Sequence, residues 1–274
     1  MAYYPVDWEK AVKRECRRRR YSDKTAKTYI ACINRFLKYT KKELGKISKK
    51  DVRLFLEYLS ENNKAGNTLN VYHMAIKFLF EDILKKRMYI NIKYSKTPER
   101  LPVCLTKDEL KLLFQNIKNP KHRLMIEFLY SSGLRVSELL NMKVNDLNLE
   151  NGFGFVRKGK GKKDKLIVLS KIIIPKIRQL IQEENLTDFL FVSNRKSKYS
   201  PRSIQQILKN ANNFSNKNIH PHALRHSFAT HLIESGYAVN EVQALLGHKS
   251  PETSMIYLHT AKTNLLNIKS PLDK

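Results

Sequence analysis

The stretch Pro221-His-Ala-Leu-Arg-His-Ser-Phe-Ala-Thr-His-Leu232 decides how the second half of this chain is read. Proline suits the first position of a helix, where its missing N–H costs nothing, and Gly236 suits the helix end. A helix between them puts His222 and Arg225 three residues apart on one face of the first turn, beside the positive end of the dipole. Unpaired backbone N–H groups, a guanidinium fork and an imidazole then converge, which is the composition of a phosphate site. His226 and His231 fall elsewhere on the helix and read as packing or hydrogen-bonding residues. Further on come Leu245-Leu246-Gly247-His248 and then Ser250-Pro251-Glu252, a cap and proline that open a helix with Tyr257 on its second turn. A helical tyrosine is by default a core aromatic, and the chain has 13 tyrosines, so Tyr257 acquires meaning only in this company.

The chain has 274 residues and a net charge of +27, from 52 Lys and Arg against 25 Asp and Glu. That length suits two ordinary domains better than one. The charge excess favours a polyanionic partner, since each phosphate neutralised releases counterions and adds salt-dependent affinity. A ribosomal-type RNA binder would share this property, and the abundance of Lys, Ile and Asn accounts for part of it. A hydrophobic content of 42% supports packed cores and argues against disorder over most of the length. Cys16, Cys32 and Cys104 are odd in number and show no CxxC spacing, which argues against a disulfide framework or zinc site and suits a reducing cytosol. No apolar run approaches the roughly 18 residues of a membrane span. No signal-peptide pattern opens the chain, so a soluble, cytoplasmic, nucleoid-associated protein is expected.

A mainly α fold is expected. Residues 1–94 read as a bundle of four helices, the first running from Asp7 to Arg20. Ser22-Asp23 caps the second, whose Ala26, Tyr29, Ile30, Ile33, Phe36 and Leu37 follow the 3.6-residue period. Ser48 and Asp51 resemble a capping box opening the third, with Val52, Phe55, Leu56 and Leu59 on one face. After a turn at Asn63–Asn67, Leu69, Tyr72, Ile76, Leu79, Phe80 and Ile83 form the fourth stripe. The run Arg17, Arg18, Arg19 and Arg20, reinforced by Lys24, Lys27, Lys41, Lys42, Lys49 and Lys50, reads as a surface that grips a nucleic-acid backbone.

Residues 95–102, with Ser95, Pro98 and Pro102 among charges, read as an extended linker. Residues 103–274 then form a second, α+β domain. Thr106 caps a helix bearing Leu110, Leu113 and Phe114, and further helices are expected over His122–Ser131, Arg135–Met142, Ile172–Glu184 and Ser203–Asn212. Gly152–Ser170 reads as a β-hairpin with a basic turn at Lys158–Asp164.

Gly133-Leu-Arg135-Val-Ser-Glu138 sets an arginine and a carboxylate three apart at a helix start. That is either a surface ion pair or an arginine oriented by a neighbouring acid. With this block in view, the order of motifs becomes informative: Gly-Leu-Arg135-Val-Ser-Glu138, Gly159-Lys160-Gly161, Pro-His222-Ala-Leu-Arg225, Leu-Leu-Gly-His248, and Tyr257. The order resembles the tyrosine recombinases of the phage integrase family, and among them the short Xer type. The resemblance covers about residues 103–274, while the N-terminal helices fit the family's SAM-like core-binding domain by size and helicity.

The resemblance implies that Tyr257 is the nucleophile, forming a 3′-phosphotyrosyl link and releasing a 5′-hydroxyl. Arg135 and Arg225 would hold the non-bridging oxygens, and His222 would act on the tyrosine proton or donate to the phosphate. His248 would hydrogen-bond the same phosphate, Glu138 would support the site, and Lys160 would protonate the leaving oxygen. Lys162 and Lys163 beside it would contact DNA. No metal or other cofactor is expected, because two arginines and a lysine supply the positive charge and no Asp or Glu cluster suggests a metal site. The implied partner is double-stranded DNA with a pseudo-palindromic site. Four protomers would assemble on two such sites and exchange strands through a Holliday junction, with monomers or dimers off DNA and no membrane association. The implied roles are chromosome-dimer resolution or integration and excision of a mobile element.

The segment after Tyr257, with Leu265, Leu266 and Ile268, would dock on a neighbouring protomer, the alternative being a tail folded on its own domain. Integron integrases share such a tail but carry an insertion not found here. A type IB topoisomerase uses similar groups. A DNA-binding regulator is the rival from another class, with Ala238–Tyr257 passing for a helix-turn-helix around Gly247.

Overall fold

Helices begin where the sequence supplies an oxygen to cap them. In the computed structural model, which describes residues 7–86, 103–157, 164–247 and 270–273, the Asp7 carboxylate accepts the Lys10 N–H and starts α1 (Trp8–Arg18). Ser22 does the same for α2 (Asp23–Thr40), and Ser48 with Asp51 forms a full capping box at α3 (Lys49–Glu61). The fourth helix, α4 (Gly66–Lys77), does not run on regularly as its stripe suggests. It widens into a π-helical turn at Phe78–Ile83, which buries Phe78, Leu79 and Phe80 together. These elements close over Ile33, Phe36, Phe55, Leu59, Ile76 and Phe80. The chain divides into two compact units, Met1–Arg100 and Leu101–Lys274.

The four arginines at the end of α1 do not share one role. Arg19 is held inside its own unit: Nε donates to Glu15 at 2.7 Å, Nη2 donates to Asp82 at 2.6 Å, and its guanidinium lies over the Phe78 ring. Arg18 also bonds Glu15 but stays exposed, as do Arg17 and Arg20.

The second unit is built around α6 (Pro120–Ser131), where every residue from Leu124 to Ser131 is buried, the pattern of a helix surrounded on all sides. Around it pack α5 (Lys107–Asn116), α7 (Val136–Leu140), α8 (Ile173–Glu184), α9 (Pro201–Ala211) and α10 (Pro221–Glu234), while α11 (Val239–Leu246) packs on α10 and the sheet. A three-stranded antiparallel sheet of β1 (Leu147–Asn148), β2 (Phe153–Val156) and β3 (Lys165–Val168) stands in the order β1-β2-β3. Its register pairs Phe153 with Val168 and Val156 with Lys165. The basic tip between β2 and β3, at 158–163, lies outside the described residues.

The last described turn, Pro271–Asp273, packs on its own domain. Ser270 Oγ donates to the Ser131 carbonyl at 2.7 Å. The Asp273 carboxylate accepts the Ser170 hydroxyl and the N–H groups of Lys171 and Ile172. The N–H groups of Ile173 and Ile174 that open α8 donate to the Ser170 carbonyl, and the Ser170 hydroxyl accepts the Ile172 N–H, so the Asp273 carboxylate from 100 residues downstream fixes the turn that leads into the helix. Among the described residues no helix is long and apolar enough to cross a membrane.

Candidate active site

Arg225 leaves the first turn of α10 toward the domain interior, and only 6% of the residue is exposed. Its Nη1 donates to the Gly133 carbonyl at 2.5 Å and its Nη2 to the Leu246 carbonyl, so one guanidinium ties α10 to the loop before α7 and to the end of α11. The Gly133 carbonyl can reach it because residue 133 is a glycine. Its φ is +58°, and a Cβ there would stand 2.5 Å from the Phe228 ring. The start of α10 is prepared by a residue with no assigned role in the sequence reading: His220 Nδ1 accepts the Ala223 N–H at 3.1 Å and caps the helix. His222, one residue into the helix, remains exposed.

Arg135 arrives from the start of α7. Its backbone N–H donates to Glu138 Oε2 at 2.8 Å and its Nη1 to Glu138 Oε1 at 2.7 Å. Of the two readings open for this pair, the geometry selects an oriented arginine: the Glu138 side chain is 4% exposed and that of Arg135 21%. A second cation reaches the same carboxylate from the sheet, with Lys165 Nζ 3.6 Å from Glu138 Oε2.

The electrostatics follow from crowding. Burial pushes the Arg225 guanidinium down to about 10, Arg135 adds to the effect, and Glu138 opposes it. Partial desolvation, then Arg225, His226 and Arg135, hold His222 below the usual imidazole value, which favours its neutral form at pH 7. For Glu138 burial acts upward, but Lys165 and the Arg135 N–H groups outweigh it and keep the carboxylate ionised.

The structure thus brings together Arg135, Glu138, His222 and Arg225, and adds Lys165. His248 and Tyr257 lie outside the described residues, as do Lys160, Lys162 and Lys163. His231 is an internal residue whose Nδ1 shares a 2.8 Å hydrogen bond with the buried Tyr130 hydroxyl. His226 stays exposed. A signal for Lys165 did exist: it stands two and four residues before the buried Ile167 and Leu169, on the inward face of β3. The run of lysines around it hid this spacing. Among the described residues no group of three or more His, Cys, Asp or Glu is placed to hold a metal ion.

Known proteins resemble the chain over both units. Residues 104–264 match the phage integrase family, and residues 8–90 match the phage integrase N-terminal SAM-like domain. A tyrosine recombinase of Thermosipho africanus is 36% identical over 258 residues, covering 89% of this chain and 91% of that protein. Tyrosine recombinase XerA of Pyrococcus horikoshii is 37% identical over 222 residues, covering 79% and 77%. The structure of XerH site-specific recombinase bound to its difH substrate aligns with a TM-score of 0.67 at 28% identity, over 94% of this chain and 82% of that one. This chain therefore belongs to the phage integrase family, as a tyrosine-type site-specific recombinase of the Xer kind.

Proposed function

We propose that the protein cuts and rejoins double-stranded DNA at a pseudo-palindromic site through a 3′-phosphotyrosyl intermediate. The observation that carries this reading is the gathering of Arg135 and Arg225 at an ionised Glu138, with His222 within electrostatic reach of both arginines. Two guanidiniums beside one carboxylate leave positive charge to spare for a phosphodiester.

In the proposed reaction the Tyr257 oxygen attacks phosphorus and its proton passes to His222, whose neutral imidazole can accept it. Arg135 and Arg225 hold the non-bridging oxygens while the new oxygen–phosphorus bond forms. The bond to the 5′-oxygen breaks, and Lys160 gives that oxygen a proton. His248 donates to the same phosphate, and Glu138 keeps Arg135 aimed. The phosphotyrosine retains the energy of the broken link, so rejoining needs no nucleotide cofactor.

The helical domain, residues 1–94, and the catalytic domain, residues 103–274, would clamp the duplex across the linker at 95–102. Arg17 and Arg20, with Arg18, supply phosphate contacts from the first domain, and Lys162 and Lys163 from the second. Arg19 contributes least, because its donors are taken by Glu15 and Asp82. Four protomers assembled on two sites would exchange strands through a Holliday junction, in the cytoplasm. Docking of the tail on a neighbour would fall to the residues before Ser270, since the end of the tail is anchored on its own domain.

The test is a nicked suicide duplex that traps the covalent intermediate. The wild type should accumulate a protein–DNA adduct and Tyr257→Phe none. An adduct that survives Tyr257→Phe refutes the nucleophile. Relaxation of supercoils without site preference favours a topoisomerase, and absence of any wild-type adduct favours a non-catalytic DNA-binding regulator.

A further inference from the structure

Lys165 is the one member of the cluster that the proposed reaction leaves unused. Its side chain is 10% exposed. Its Nζ is fully buried and has no hydrogen-bond partner among the described residues. The contact with Glu138, at 3.6 Å, is an ion pair too long to be a hydrogen bond. A buried ammonium with unfilled donors is costly and persists only where something else requires it.

Its placement shows what that is. The lysine stem runs from β3 past the end of α11, and a Cβ on Gly247 would stand 3.0 Å from Lys165 Cδ. Arg225 bonds the adjacent Leu246 carbonyl. Glu138 takes Arg135 on one side and faces Lys165 on the other. Three cations, from α7, α10 and β3, thus surround a single carboxylate. Val156, its register partner on β2, and Gly247, which follows α11, do not titrate. The described charged groups facing Lys165 are Glu138, Arg135 and Arg225.

We infer that Lys165 is a positioning residue whose ammonium holds Glu138, and through it Arg135, in the phosphate-ready arrangement, and that binding of the DNA phosphodiester favours its protonated form. The inference rests on the recombinase reading above. It adds a residue distinct from the lysines of the hairpin tip and makes the site sensitive to alkaline pH. The direction follows from charge balance. Burial pushes the Lys165 amine down to about 8, with Glu138 opposing and Arg225 and Arg135 reinforcing. An approaching phosphate anion raises that value again. In free protein the amine therefore begins to lose its proton just above neutral pH. The carboxylate then keeps Arg135 but loses its hold on the sheet.

The experiment follows adduct formation in single turnover from pH 6.5 to 10, on a nicked duplex carrying the sequence recovered from DNA trapped on the wild-type protein. At subsaturating DNA the wild-type rate should fall by about tenfold per pH unit above a midpoint near 8, as for loss of one essential proton. At saturating DNA the midpoint should move upward. Lys165→Arg, which stays charged throughout, should remove this limb, and Lys165→Met should be slow and flat across it. Melting temperatures of each protein separate these changes from unfolding. If the wild type shows no alkaline limb between pH 8 and 10, the inference is overturned even if both variants fail to fold. A limb that persists unchanged in Lys165→Arg overturns it as well. In both cases a wild-type adduct leaves the recombinase reading intact, whereas no wild-type adduct at any pH removes the reading and the inference together.

Discussion

Two buried glutamates on successive helices are balanced in opposite ways. Glu127, on α6, is 4% exposed at its side chain, and each oxygen meets one cation at close range, Arg123 at 3.0 Å and Lys176 at 2.6 Å. Those cations are 44% and 40% exposed, so water shares their charge and the group is a structural clamp between α6 and α8. Glu138, on α7, is equally buried, but its cations are buried with it: the Arg135 and Lys165 side chains are 21% and 10% exposed, and Arg225 lies close behind. One contact is tight and the other loose at 3.6 Å. A fold optimised only for stability would not gather buried cations around one acid. An anion-binding site requires it.

The comparison can be broken experimentally. The largest effect should come from Arg225→Gln, which removes a buried charge directed at the phosphate. Single-turnover cleavage should fall by about 100- to 1,000-fold, the scale for loss of one preorganised transition-state donor. A smaller loss of cleavage would weaken the assignment of that arginine. The two glutamates should then separate. Glu138→Gln should slow cleavage by about 10- to 100-fold through misaiming of Arg135. Glu127→Gln should lower unfolding stability by about 2 kcal/mol, the scale of a charged hydrogen-bonded contact, and should leave cleavage nearly unchanged. The reverse pattern would erase the distinction between clamp and site. The smallest effect tests the neighbourhood of the clamp. Asp273→Ala should free the turn that leads into α8, which carries Lys176, and lower stability by about 1 kcal/mol in denaturant unfolding.

The same contrast marks what could be read from the sequence. The Arg135–Glu138 spacing and the Pro221 start were legible because helix geometry alone puts such residues on one face. The capping oxygens of Ser22, Ser48 and Thr106 likewise announced their helices, and all three accept the expected N–H. The same signal stands at two further helices. Asn119-Pro120 and Ser200-Pro201 open α6 and α9 two residues before the apolar periodicity becomes visible. What escaped is non-local. Lys165 meets Glu138 only because β3 brings it beside α7 and the end of α11. Arg19 leaves the exposed run only because Asp82, 63 residues away, lies next to it. The two-residue β1 carries too few side chains to show an alternation. Asp273 fixes a turn that lies 100 residues earlier in the chain, which no local pattern could indicate.

The central claim is that Tyr257 becomes linked to a DNA 3′ end at the site organised by Arg135 and Arg225. The most direct measurement is mass spectrometry of peptides from the adduct trapped on a nicked duplex. The account predicts a single modified peptide containing Tyr257, carrying a nucleotide through its 3′-phosphate, with the 5′-hydroxyl on the released strand. A nucleotide attached to another residue, or attached through a 5′-phosphate, would contradict it.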